Sequence, residues 1–167
     1  DLIHKAVGWM LREVGKNEYY KNKFNKVKPW PDVETTLRNL EKSYLLGIIT
    51  NGLTDKQLSK IHLLHLVKYF KLDHIIIEED VGYSKPDKKI FEHAASKVGL
   101  DSEDCIYVGD KPREDIFGAF NAGFIPILFK NGPYSDDTGC LNEMKETKDY
   151  YTIKHFSELI DLLPNLK

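Results

Sequence analysis

Three short clusters in this sequence carry residue types that could do chemistry together. The first is Thr50-Asn51-Gly52, a hydroxyl, an amide and a turn-permissive glycine after an apolar run. Thr54 and Gln57 follow at capping-box spacing, so a helix is expected to open there with its positive end near the hydroxyl. The second is Gly82-Tyr83-Ser84-Lys85-Pro86-Asp87, where Pro86 suits a first helical turn and fixes Lys85 at a helix start. A cation is unfavourable at that end unless an anion joins it. The third is Gly109-Asp110-Lys111-Pro112-Arg113-Glu114-Asp115, two aspartates flanking a turn. Carboxylate oxygens of this kind suit Mg²⁺, which takes few protein ligands and keeps water and phosphate. Alone, each cluster has an ordinary explanation: a strand-to-helix turn, a solvated lysine, a capped helix. In that order, each after a successive apolar run, they make a phosphate-plus-magnesium constellation.

The elements that must position these residues are legible as apolar runs alternating with amphipathic helices. Tyr44 to Ile49, Ile75 to Ile77, Cys105 to Val108 and Ile125 to Phe129 read as strands, with Tyr151 to Ile153 as a short fifth. Helices are expected around Leu58, Ile61 and Leu64, around Ile90, Phe91, Ala94, Ala95 and Val98, around Ile116, Ala119 and Phe120, and around Phe156, Leu159, Ile160 and Leu163. Continuously apolar strands separated by helices predict a parallel sheet covered on both faces. Pro126 places its strand at a sheet edge, because proline cannot donate to a ladder. Ligands of such sheets bind beyond the carboxyl ends of the strands, where all three clusters fall.

Before Pro29-Trp30-Pro31 the pattern changes, and a boundary is set there. Leu2, Ile3, Ala6, Val7, Met10 and Leu11 have helical spacing. The stretch from Lys16 to Lys28 interleaves Tyr19, Tyr20 and Phe24 with lysines, including Lys21 and Lys23. A nucleic-acid patch is one reading of it; a solvated helix that buries its aromatics is the one preferred.

The 167 residues suit one domain with part of another. A net charge of −2 gives no general attraction to nucleic acid or anionic membranes. No apolar run reaches membrane-spanning length. Cys105 and Cys140 form no disulfide framework or metal motif, and the 6 histidines show no ligand spacing. A reducing, cytoplasmic setting is expected.

Gly47-Ile48-Ile49-Thr50-Asn51-Gly52, Ser84-Lys85-Pro86-Asp87 with Ile90-Phe91, and Val108-Gly109-Asp110 with Asp115, Gly118-Ala119 and Ala122-Gly123 resemble the second, third and fourth motifs of haloacid-dehalogenase-like hydrolases. The resemblance runs from about Pro29 to the end. It implies a three-layer, Rossmann-like, doubly wound α/β core over residues 29–167, with residues 1–28 as the tail of a helical cap. It also implies a Mg²⁺-dependent phosphatase acting on a small phosphorylated metabolite through an aspartyl-phosphate. Thr50 would bind the phosphoryl group, with Asn51 and Gly52 beside it. Lys85 would neutralise charge, Asp110 would ligate Mg²⁺, and Asp115 would support that site by ligation or by orienting Lys85 or a water.

The family's first motif, a strand ending in Asp-x-Asp that supplies nucleophile and general acid–base, is not found. Asp136-Asp137 and Glu78-Glu79-Asp80 read as solvated turns. The missing strand belongs mid-sheet, between the strands ending at Thr50 and Val108, and omitting it would leave two buried edges unpaired. A further segment of about 50 to 80 residues upstream is therefore expected, scaled from usual element lengths. A dehalogenase and a non-catalytic relative kept as a binding module are the competing readings. The Gly109-Asp110 pair with Asp115 favours metal chemistry over the first. Retention of Thr50, Lys85, Asp110 and Asp115 argues against the second.

Overall fold

The computed structural model describes residues 6–9, 29–146 and 148–166 of the protein. Its strands are β1 (Ala6–Trp9), β2 (Leu45–Thr50), β3 (Ile75–Ile77), β4 (Cys105–Gly109), β5 (Ile125–Phe129) and β6 (Tyr151–Ile153). They form one 6-stranded sheet in the order β3-β2-β1-β4-β5-β6. Every pairing is parallel. This order is that of a doubly wound sheet, whose winding reverses beside β1 and opens a crevice at the strand ends.

Strands β2 to β6 arise where the apolar runs lie, because burial on both faces demands runs without alternation. Successive residues point to opposite faces. Ile48, Ile106, Val108 and Ile127 pack on one side with α1 (Val33–Leu40) and the closing helix α6 (Leu159–Leu162). Ile49, Ile76 and Tyr107 pack on the other against Ile90, Phe91 and Ala95 of α4 (Lys88–Val98) and Ala119 of α5 (Gly118–Asn121). The predicted three layers follow.

Two expectations are corrected. The central slot is not empty: Ala6–Trp9 occupies it, with Trp9 opposite Ile48 on one side and Val108 on the other. These four residues are a strand, not part of a helix. The unpaired edges of β2 and β4 are satisfied by this apolar stretch, and a long-range demand for hydrogen bonds overrides local helical spacing. The other residues of the expected cap tail, including the lysine-rich stretch from Lys16 to Lys28, lie outside the described residues. The second correction concerns Pro126. Strand β5 is interior, between β4 and β6. Pro126 stands opposite Tyr107, while β6 begins pairing only at Ile127. The missing donor therefore falls before the sixth strand starts, and no ladder bond is lost.

Candidate active site

The three clusters converge at the carboxyl ends of β2 and β4. Thr50 ends β2 and is buried, at 2% exposure. Asn51 follows, and its side chain clamps the backbone of Lys85: Nδ2 donates to the Lys85 carbonyl at 3.0 Å, and Oδ1 accepts from the Lys85 amide at 2.9 Å. This reciprocal pair joins the first two clusters across 34 residues of sequence.

Lys85 is buried, at 6% exposure, so its ammonium needs partners. It donates to Asp115 Oδ1 at 2.6 Å and to the Tyr107 hydroxyl at 2.7 Å. Asp115 is fully buried, and its other oxygen accepts from the Lys111 amide at 3.0 Å. The turn after β4 is a π-helical segment, Pro112–Phe117, whose wider winding brings Asp115 back under the strand end. Gly109 makes that approach feasible, because a Cβ there would collide with the Asp115 side chain. Gly132, in the loop after β5, does the same for Asp110: a Cβ would strike the aspartate.

Several local expectations give way to tertiary contacts. Thr54 and Gln57 form no capping box; the residue before α2 (Thr54–Leu63) makes no side-chain cap. Gln57 instead donates to the Asn51 carbonyl at 2.9 Å. The helix start is satisfied by the acidic residues of α3 (Glu78–Val81). Glu78 accepts from the Gly52 amide at 2.8 Å, Glu79 from the Thr54 amide at 2.8 Å, and Asp80 from the Thr54 hydroxyl at 2.6 Å. The expected solvated turn is thus a clamp on the Thr50 loop, and the Gly52 amide expected to meet phosphate is already bonded. Pro86 is not in a first helical turn: α4 begins at Lys88 with Asp87 as its cap, accepting from the Lys89 amide at 3.0 Å. Lys85 is placed by Asn51 and Asp115 rather than by a helix start.

Sequence reading missed Tyr107, Glu78, Glu79 and Asp80. Tyr107 sits in an apolar run and carries no motif signal. The acidic trio had a signal, three carboxylates directly after a strand, but its partner loop lies 25 or more residues away.

The sequence predicted two oxygen donors for a metal, and the two stand in different surroundings. Asp110 is buried at the end of β4, at 3% exposure, in a cradle kept open by Gly132. Asp115 has both oxygens engaged, by Lys85 and by Lys111. Among the described residues no group of three or more His, Cys, Asp or Glu is arranged to hold a metal. One carboxylate completed by water and phosphate oxygens is nevertheless a donor set that Mg²⁺ accepts.

A doubly wound parallel sheet with a buried Lys–Asp pair and a second aspartate at its strand ends defines a Rossmann-like core with a polar site at its switch point. The chain belongs to the haloacid dehalogenase-like hydrolase family, whose profile matches residues 4–128. A glyceraldehyde 3-phosphate phosphatase of Methanopyrus kandleri is 40% identical over 119 residues, 71% of this chain and 50% of that protein. The chain spans about half the length of that curated relative. A haloacid-dehalogenase-family phosphatase from Thermococcus onnurineus has a TM-score of 0.70 at 30% identity, covering 87% of this chain and 63% of that one. A 2-haloacid dehalogenase from Pseudomonas syringae has a TM-score of 0.68 at 31% identity, covering 86% and 56%. The protein is a hydrolase-family chain whose named relatives include phosphatases.

Proposed function

We propose that the chain forms the phosphate- and Mg²⁺-binding part of a phosphomonoester hydrolase. The observation that carries this is the buried Lys85–Asp115 pair, at the end of the sheet where the strands lead into Thr50 and Asp110. A lysine ammonium has three donors; among the described residues Asp115 and Tyr107 take two, and the third would meet an incoming phosphoryl oxygen. Thr50 would offer a hydroxyl to the same group. Phosphoryl transfer depends chiefly on positioning and charge neutralisation, which these residues are suited to supply. Bound Mg²⁺ would add Lewis-acid neutralisation of the phosphoryl oxygens, held by Asp110 with Asp115 in support.

The covalent step of this reading passes through an aspartyl-phosphate. No aspartate stands on β1 as described, and Met10-Leu11-Arg12 follow it in sequence. The nucleophile is assigned to an upstream segment, as the family's first motif implies; with Ala6–Trp9 in the slot between β2 and β4, unpaired edges no longer call for a further strand. A cytoplasmic setting belongs to the same reading. The substrate class is a small phosphorylated metabolite. Glyceraldehyde 3-phosphate, named for the Methanopyrus relative, is the first to try.

The dehalogenase reading has the Pseudomonas neighbour behind it. Halide displacement needs no metal, so the Gly109-Asp110 carboxylate after β4, suited to Mg²⁺, favours phosphate chemistry. The deciding experiment is hydrolysis of p-nitrophenyl phosphate and of 2-chloropropionate by this chain joined to an upstream Asp-x-Asp segment, with Mg²⁺ and with excess EDTA. Metal-dependent phosphate release supports the proposal. Chloride release that EDTA leaves untouched, without phosphate release, overturns it.

A further inference from the structure

Tyr107 has no place in any of the motif clusters, yet its hydroxyl links the Lys85 ammonium to strand β2. It is fully buried on β4. Its hydroxyl donates to the Ile49 carbonyl at 3.0 Å and accepts from Lys85 Nζ at 2.7 Å. A phenol has one hydrogen, and with that hydrogen on Ile49 the oxygen can only accept from the ammonium. Burial, reinforced by the nearby Asp115 charge, pushes the phenol well above its ordinary titration range and keeps it neutral. The ring is fixed by an edge-on contact with Phe91, centroids 5.1 Å apart. A phenylalanine would fill the same space and make neither hydrogen bond.

We propose that Tyr107 is a positioning residue for Lys85, tying the ammonium to the end of β2 so that its third donor is held for a phosphoryl oxygen beside Thr50. Ile49 directly precedes Thr50, so the hydroxyl sets the lysine against the backbone that carries the threonine. Asp115 supplies charge compensation from the far side and Asn51 locks the Lys85 backbone. Tyr107 is the member of this set that connects the ammonium to the threonine strand. This role rests on the phosphate-site reading given above.

The test is binding of inorganic phosphate to the full chain by titration calorimetry, for the wild type, Tyr107→Phe and Lys85→Ala. The Lys85 ammonium resonance is followed in parallel by ¹⁵N-detected NMR. Tyr107→Phe should weaken phosphate binding roughly tenfold, the effect of one hydrogen bond to a charged group, and should shift or broaden the Lys85 resonance. If Lys85→Ala weakens binding while Tyr107→Phe leaves both the dissociation constant and the resonance at wild-type values, the role of Tyr107 is overturned. If Lys85→Ala itself binds phosphate as tightly as the wild type, the phosphate-site reading fails instead. Should Tyr107→Phe not fold, the wild type decides: a slowly exchanging Tyr107 hydroxyl proton with a cross-peak to the Lys85 ammonium is expected, and its absence overturns the proposal.

Discussion

Replacing Asp115 with asparagine probes the centre of the site with one atom's change. The aspartate has one oxygen 2.6 Å from the Lys85 ammonium and the other 3.0 Å from the Lys111 amide. Both partners are donors, and a side-chain amide offers only one acceptor oxygen. Whichever way the introduced amide turns, its NH₂ meets a donor. The pair is almost wholly enclosed, with side-chain exposures of 4% and 0%, so water cannot compensate the ammonium. Breaking a buried pair from one side costs about 3–5 kcal/mol. A domain holds only about 5–15 kcal/mol in all. At about 2–4 °C per kcal/mol for this size, the melting temperature should fall by roughly 6–20 °C. Urea unfolding is the assay, with an unchanged slope and an earlier midpoint. A control separates charge from packing: the double variant Lys85→Met, Asp115→Leu removes both charges and should recover most of the stability, because apolar replacement of a buried pair is often neutral. The double variant should still fail to bind phosphate. A loss below about 1 kcal/mol for Asp115→Asn would refute the reasoning, since a buried pair cannot be broken that cheaply.

Other outcomes follow from the same geometry. Tyr107 titrates above its ordinary 10.0 in the folded chain, so its contribution is complete below pH 10 and is lost as pH rises from there toward the folded value. Stability of the wild type should decline above pH 10 by about 1.4 kcal/mol per pH unit from this group, and Tyr107→Phe should lack that share in a pH series of urea melts. Gly109→Ala places a methyl against the Asp115 side chain and should cost roughly 1–3 kcal/mol while weakening phosphate binding, read by urea melts and calorimetry. Cys140 is exposed and Cys105 buried. A thiol reagent should therefore titrate one cysteine in the native chain and two after denaturation.

Strands β2 to β6 were legible because each is a short apolar run whose burial on both faces leaves a local mark, and their bounds moved by a residue at most. That the three clusters share one end of the sheet was legible too, since in a parallel sheet all strand ends face the same way. Which residues act between them was not. Tyr107 reaches Ile49 across 58 residues and Lys85 across 22. Glu78 reaches Gly52 across 26. A tyrosine in an apolar run looks like core, and three acids after a strand look solvated, until their partners are placed opposite them. Pro126 looked like an edge residue because its strand alone cannot show where β6 begins. Ala6–Trp9 looked helical because spacing records only local preference, whereas the slot between β2 and β4 imposes its demand through two strands distant in sequence. The order of residues thus dictates the strands, their shared direction and the chemistry at their ends. Which donor meets which acceptor there is settled by the folded chain, because those hydrogen bonds join residues that no local pattern relates.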